Sequence, residues 1–181
     1  MKQDFTEKLA IPNGIQVSAH EGIFKVKGPK GEVSRELHNP RITSKVEGST
    51  VAFTAKGGTQ REKKLVMTFI AHLKTTFKGV EKGHTYKLKL CSSHFPMTAA
   101  VKGSLLEIKN FFGEQVPRTT PIPQGVSAKV DGAVVTLEGV NKELVSQTAA
   151  NIEASTKRPG FDKRIFQDGI YIFEKDGKPL K

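Results

Sequence analysis

One cysteine in 181 residues, Cys91, leaves no partner for a disulfide within the chain and rules out a multi-cysteine zinc site. A reducing compartment is expected. No apolar run approaches the roughly 20 residues that a membrane-spanning helix requires, and the opening MKQDFTEKLAIP, with its acids and no hydrophobic segment, resembles no secretory signal. A cytoplasmic protein without a membrane partner is the expectation. Acidic residues are scarce: 18 Asp and Glu against 29 Lys and Arg give a formal charge of +11 and a pI near 9.8. That balance favours a polyanionic partner, nucleic acid ahead of an anionic membrane surface. Residues 1–82 carry 15 basic against 8 acidic side chains and residues 83–181 carry 14 against 10, so charge alone does not choose the binding half.

Signatures of catalysis are missing as well. The histidines at 20, 38, 72, 84 and 94 show no HExxH or other metal-ligand spacing. The glycine-rich Gly28-Pro29-Lys30-Gly31 and Gly57-Gly58 lack the downstream residues of a P-loop or dinucleotide fingerprint, and are expected to be turns. Cys91, Ser92, Ser93 and His94 place a nucleophile near a base, but neighbours on an extended segment point to opposite faces, and no third group orients them. No enzyme, no metal and no cofactor is expected.

What the chain does have is a repeat. ITSKVEGSTVAFTA, residues 42–55, is echoed by VSAKVDGAVVTLEG, residues 126–139, with the apolar positions in phase. Upstream, Phe24-Lys25-Val26-Lys27 and Gly31-Glu32-Val33 correspond to Leu106-Glu107-Ile108-Lys109 and Gly113-Glu114-Gln115-Val116. Downstream, each copy runs into a helical pattern, Arg61–Phe77 and Lys142–Thr156. A repeat unit this long holds its own core, which predicts two tandem homologous domains rather than a solenoid. Each reads as α+β, a small, mostly antiparallel sheet packed against one helix.

In the first copy, strands flank the Gly28–Gly31 turn, and a second hairpin joins Ile42–Val46 to Thr50–Thr54. Leu65, Val66, Phe69, Ile70, Leu73 and Phe77 then line one helix face, leaving Arg61, Lys63, Lys64 and Lys74 to solvent. The second helix carries a flatter stripe of Leu144, Val145, Thr148, Ala149 and Ile152. Val80-Glu81-Lys82-Gly83 is the expected junction, giving domains at 1–82 and 83–175 and a mobile tail at 176–181.

The stretch that best suits nucleic acid is 157–173, KRPGFDKRIFQDGIYIF. Pro159 and Gly160 stop the preceding helix. Lys157, Arg158, Lys163 and Arg164 are interleaved with Phe161, Phe166 and Tyr171: cations to neutralise phosphates, ring faces to stack on exposed bases. Asp168-Gly169 between Ile165-Phe166 and Ile170-Tyr171 is equally a hairpin signal, which would make Phe166 and Tyr171 core residues.

Cys91-Ser92-Ser93-His94-Phe95-Pro96, the duplicated unit and above all the ending Arg164-Ile165-Phe166-Gln167-Asp168-Gly169-Ile170-Tyr171-Ile172 resemble the L-six family of large ribosomal subunit proteins, in its archaeal and eukaryotic branch. The resemblance covers nearly the whole chain, and the Tyr-Lys-Gly-Lys-Gly type of ending found in the bacterial branch is absent. It implies a structural constituent of the large subunit whose carboxy-terminal domain binds large-subunit rRNA beside the sarcin-ricin loop and the translation-factor landing site. Neighbouring large-subunit proteins and translation factors are the further implied partners. On that resemblance Lys157, Arg158, Lys163 and Arg164 are the leading phosphate contacts, and Lys102 with Ser92, Ser93 and His94 forms a second patch. Asp168 is expected to orient Arg164 or its own turn, and Lys27 and Lys30 to face solvent or a neighbour. A free RNA chaperone or other RNA-binding protein outside the ribosome, or an adaptor for acidic surfaces, would share the charge and fold.

Overall fold

The computed structural model describes residues 3–162 and 164–180. The chain divides after Gly83 into two compact units. The first contains β1 (Gln3–Ala10), β2 (Gln16–His20), β3 (Ile23–Gly28), β4 (Gly31–Glu36), β5 (Ile42–Glu47), β6 (Thr50–Gly58) and helix α1 (Gln60–Lys82). The second contains β7 (His84–Cys91), β8 (Thr98–Lys102), β9 (Leu105–Lys109), a 3-10 turn at Phe111–Gly113, β10 (Arg118–Pro121), β11 (Val126–Asp131), β12 (Val134–Gly139), α2 (Lys142–Ser155), β13 (Gly169–Lys175) and β14 (Lys178–Pro179).

The architecture is tandem α+β, with a refinement: each unit divides its strands between two antiparallel sheets rather than one. The first unit has the orders β1-β6-β5 and β2-β3-β4, the second β11-β12-β7-β13-β14 and β10-β9-β8. Duplication is visible strand for strand, since β7-β12-β11 repeats β1-β6-β5 and β8-β9-β10 repeats β2-β3-β4. The internally matched segments 42–55 and 126–139 form the corresponding hairpins, β5–β6 and β11–β12.

In the first unit Phe24 and Phe53, both fully buried, meet with ring centroids 5.7 Å apart. Val66, Ile70, Leu73 and Phe77 bury the predicted face of α1, while Arg61, Lys63, Lys64 and Lys74 are exposed. Thr59 caps this helix in a reciprocal box with Glu62, each satisfying a donor that the first helical turn leaves unpaired. The Gly28–Gly31 turn docks on the end of the helix: Lys30 N–H donates to Val80 O at 3.0 Å. A Cβ on Gly28 would come within 2.8 Å of Val80, so glycine is required there by space.

The second core gathers Leu88, Leu106, Ile108, Phe111, Val135, Leu137, Val145, Ala149, Ile152 and Ile170 between its sheets and α2. Of the expected α2 stripe, Val145, Thr148, Ala149 and Ile152 are buried, the Thr148 hydroxyl donating to Leu144 O, whereas Leu144 is 38% exposed. Residues expected as a mobile tail instead turn at Asp176-Gly177 into β14, which pairs with β13. Asp176 anchors that turn: its carboxylate meets Nδ1 of the buried His84 at 2.8 Å and accepts from Thr85 N–H at 3.1 Å.

Candidate nucleic-acid interface

Helix α2 ends at Ser155 with Thr156 as its C-cap, and among the described residues the next strand begins at Gly169. The hinge of this excursion is Pro159-Gly160, with Gly160 at φ +82°. Thr156 and Glu153 tie its two ends together. The Thr156 hydroxyl donates to Glu153 O and accepts from Ile170 N–H, both at 3.0 Å, and the Glu153 carboxylate accepts from Ile172 N–H at 3.3 Å. The loop is therefore pinned at its base by polar groups that would otherwise be buried without partners.

Within the loop, Asp162 organises the turn. Its carbonyl accepts from Ile165 and Phe166 N–H, and its carboxylate from the backbone N–H, Nε and Nη2 of Arg164. This ion pair holds the Asp162 carboxyl below its ordinary range and raises the Arg164 guanidinium. The expected hairpin at Asp168-Gly169 does not form, because Ile165 and Phe166 belong to the Asp162 turn. Asp168 orients neither Arg164 nor its own turn: its carboxylate accepts from the backbone N–H and the hydroxyl of Ser93, the latter at 3.0 Å. The loop after β7 is thereby fastened to the basic segment.

Phe161 and Phe166 lie edge to face at 4.9 Å and share a cluster with Phe112, whose centroid is 6.0 and 6.2 Å from theirs. Arg158 lies over both Phe161 and Phe112, its guanidinium carbon 4.2 and 5.0 Å from the ring centroids. Tyr171 and Lys157 line the same depression. Burial raises the Tyr171 phenol above its ordinary value, with Cys91, Glu153 and Asp168 adding to the shift.

Of the residues proposed from sequence, Lys157, Arg158, Phe161, Phe166 and Tyr171 converge on this one surface; Arg164 adjoins it in its pair with Asp162. Ser93 is bound to Asp168, which lines the same depression. Ser92 and His94 are exposed on the same loop, His94 packing edge to face on Phe95 at 4.8 Å. Lys102 belongs to a different network at the β8–β9 hairpin, 2.7 Å from Glu107. Lys163 lies outside the described residues.

Two contributors are not apparent from the sequence. Phe112 sits at φ +50°, a conformation rare for a bulky side chain, and supplies the inner ring of the cluster. Arg118 forks onto Glu114 at 2.8 and 2.7 Å, reaches Ser155 O at 2.6 Å and Lys157 O at 3.4 Å, and lies over the buried Phe111 ring. It satisfies carbonyls at the end of α2 and so fixes where Lys157 and Arg158 begin. The i,i+4 pairing of Glu114 with Arg118 was its only sequence signal.

A basic surface with clustered aromatics on a tandem α+β scaffold is the arrangement that suits a nucleic-acid partner. A family model described as Ribosomal protein L6 matches residues 11–83 and 95–169, one span in each unit. Large ribosomal subunit protein uL6 of Methanosarcina mazei is 42% identical, the alignment covering 97% of this chain and 99% of the relative. The proteins of the same name from Methanococcus vannielii and Ignicoccus hospitalis are 42% and 40% identical, over 96% and 92% of this chain and the same shares of their own. The chain belongs to the ribosomal protein L6 family, of the archaeal and eukaryotic type, and its role is structural rather than enzymatic.

Proposed function

We propose that the chain is a constituent of the large ribosomal subunit in the cytoplasm, and that its second unit binds large-subunit rRNA through the 157–171 surface. The observation that carries this reading is the gathering of Lys157 and Arg158 with Phe161, Phe166 and Tyr171, beside the Arg164–Asp162 pair, where the loop is pinned at its base. The cations neutralise phosphates and release their counterions, and the pinned loop presents them with little ordering left to do on binding. Lys163 joins them in this reading, Ser92 and His94 are peripheral on the loop that Ser93 fastens to Asp168, and Lys102 stands apart at the β8–β9 hairpin. The site lies beside the sarcin-ricin loop and the translation-factor landing region, and the first unit faces neighbouring large-subunit proteins and translation factors. The family resemblance supports this placement. No helix among the described residues is long and apolar enough to cross a membrane.

The test is the salt dependence of affinity for large-subunit rRNA. Each phosphate contact on duplex RNA contributes about 0.9 to the log-log slope, taking the B-DNA value as a guide. Replacing Lys157, Arg158, Lys163 and Arg164 by Ala should flatten the slope, with Arg164 contributing less than the others because Asp162 already engages it. An unchanged slope rejects the assignment. The control replaces Lys63, Lys64 and Lys74 on the exposed face of α1.

A further inference from the structure

Phe161 and Phe166 are built differently from the aromatics of the two cores. Phe24, Phe53 and Phe111 are at most 1% exposed, whereas Phe161 and Phe166 are 39% and 42% exposed, and Ile165 beside them is 73% exposed. An apolar surface of this kind on an otherwise basic loop marks a binding surface. The cluster is nevertheless held in place. Phe112 is positioned by a left-handed backbone at φ +50°, following Asn110 at φ +59°, a conformation that persists only where surrounding contacts enforce it. Those contacts come from distant parts of the second unit's sequence: Phe112 from the turn after β9, Phe161 and Phe166 from the loop after α2.

Arg158 completes the arrangement. Its plane is fixed over two rings, and among the described residues no acceptor takes its N–H groups, in contrast with Arg118 and Arg164, both paired with carboxylates. A guanidinium held by ring contacts keeps its fork of donors free for an external acceptor. Open ring surface beside an oriented, unpaired arginine suits one nucleotide: the base stacks, and the phosphate next to it accepts from the fork. A regular duplex offers the phosphate but keeps its bases within the helical stack.

We propose that the Phe112–Arg158–Phe161–Phe166 cluster receives a single unpaired nucleobase of the bound rRNA, stacked on the open face of one ring of the edge-to-face Phe161–Phe166 pair, with Arg158 donating to its flanking phosphate. This rests on the rRNA-binding reading of the same surface and adds the chemical class of its ligand. The cluster then distinguishes an extruded or bulged nucleotide from paired RNA, which phosphate contacts alone do not do.

The experiment probes large-subunit rRNA by 2′-hydroxyl acylation and by hydroxyl radicals, free and bound by the full-length chain. The wild type should suppress acylation at one unpaired nucleotide whose neighbouring phosphates are protected from radicals. Phe161→Ala with Phe166→Ala should restore acylation there and weaken binding roughly 5- to 150-fold, the range for losing one base–aromatic stack. Phe161→Leu with Phe166→Leu keeps the apolar packing without a ring face and should also restore acylation, which decides the matter if the alanine pair unfolds. The tyrosine pair should behave as wild type. Acylation and affinity unchanged in a folded leucine pair would overturn the base site while leaving the phosphate assignment standing. An unchanged salt slope in the basic-to-alanine variant would overturn both.

Discussion

The two units diverge beyond the helix that each of them contains. In the first, α1 runs for 23 residues to Lys82 and its sheet ends with β1, which pairs only with β6 among the described residues. In the second, α2 stops after 14 residues, the chain makes the 156–168 excursion, and β13 returns to pair with β7 on the edge that corresponds to the open edge of β1. The leading cations of the proposed rRNA surface, together with Phe161, Phe166 and Tyr171, lie in this segment or at the start of β13, where the first unit instead continues its helix. Duplication supplied a scaffold twice, and the proposed binding surface lies where the two copies differ most. The scaffold's rigidity still matters, because this segment is held by Arg118, Glu153 and Thr156.

Core substitutions should separate the two units most sharply. Phe53→Ala should destabilise the first unit by about 3–5 kcal/mol and Leu137→Ala the second by about 2–5 kcal/mol, measured by hydrogen exchange of each unit's strand amides. Only Leu137→Ala should lower rRNA affinity; an equal loss from Phe53→Ala would place binding in the first unit too. Arg118→Ala comes next, at about 2 kcal/mol, because it strips charged hydrogen bonds from the carbonyls that end α2. Amides of β13 should lose protection while those of β5 and β6 do not. Thr156→Val, which removes the acceptor for the buried Ile170 N–H, should cost about 1–3 kcal/mol and weaken rRNA binding without altering the salt slope.

The smallest expected effect belongs to the first unit. Hydrogen bonds from the Thr59 side chain and backbone, aided by Arg41, lower the Glu62 carboxyl to about 2. A depressed folded-state value means that this contribution is fully present above the ordinary carboxylate range near 4.5 and is lost as pH falls through about 2. Acid titration of unfolding should show the loss in wild type and not in Glu62→Gln, while the second helix, capped by Asn141, should be unaffected by that substitution. Thr59→Ala at neutral pH should cost about 1 kcal/mol.

Features set by local chemistry were legible in the sequence. The β3–β4 turn comes from Gly28–Gly31, the buried stripe of α1 from its spacing, and the end of α2 from Pro159-Gly160. The interleaved cations and aromatics pointed to the proposed surface because they are neighbours in the chain. What stayed hidden depends on contacts between distant residues. Ser93 and Asp168 are 75 positions apart and Arg118 and Ser155 are 37, and no spacing rule connects Phe112 to Phe161. The expected Asp168-Gly169 hairpin shows the same limit in reverse. Its local signal was sound, but Asp162 captured Ile165 and Phe166 first, and Asp168 found a partner far away in the sequence. Lys178 and Pro179 were likewise expected to be loose, since neither charge nor proline announces a strand; the buried His84 holding Asp176 makes one.

Whether the segment between α2 and β13 grips rRNA is decided by a cryo-electron-microscopy map of the assembled large subunit containing this chain. Phosphate oxygens should lie within hydrogen-bonding distance of Lys157 and Arg158, with rRNA packed along the 157–171 surface. A map in which that surface faces solvent or protein, with no rRNA beside it, would contradict this assignment.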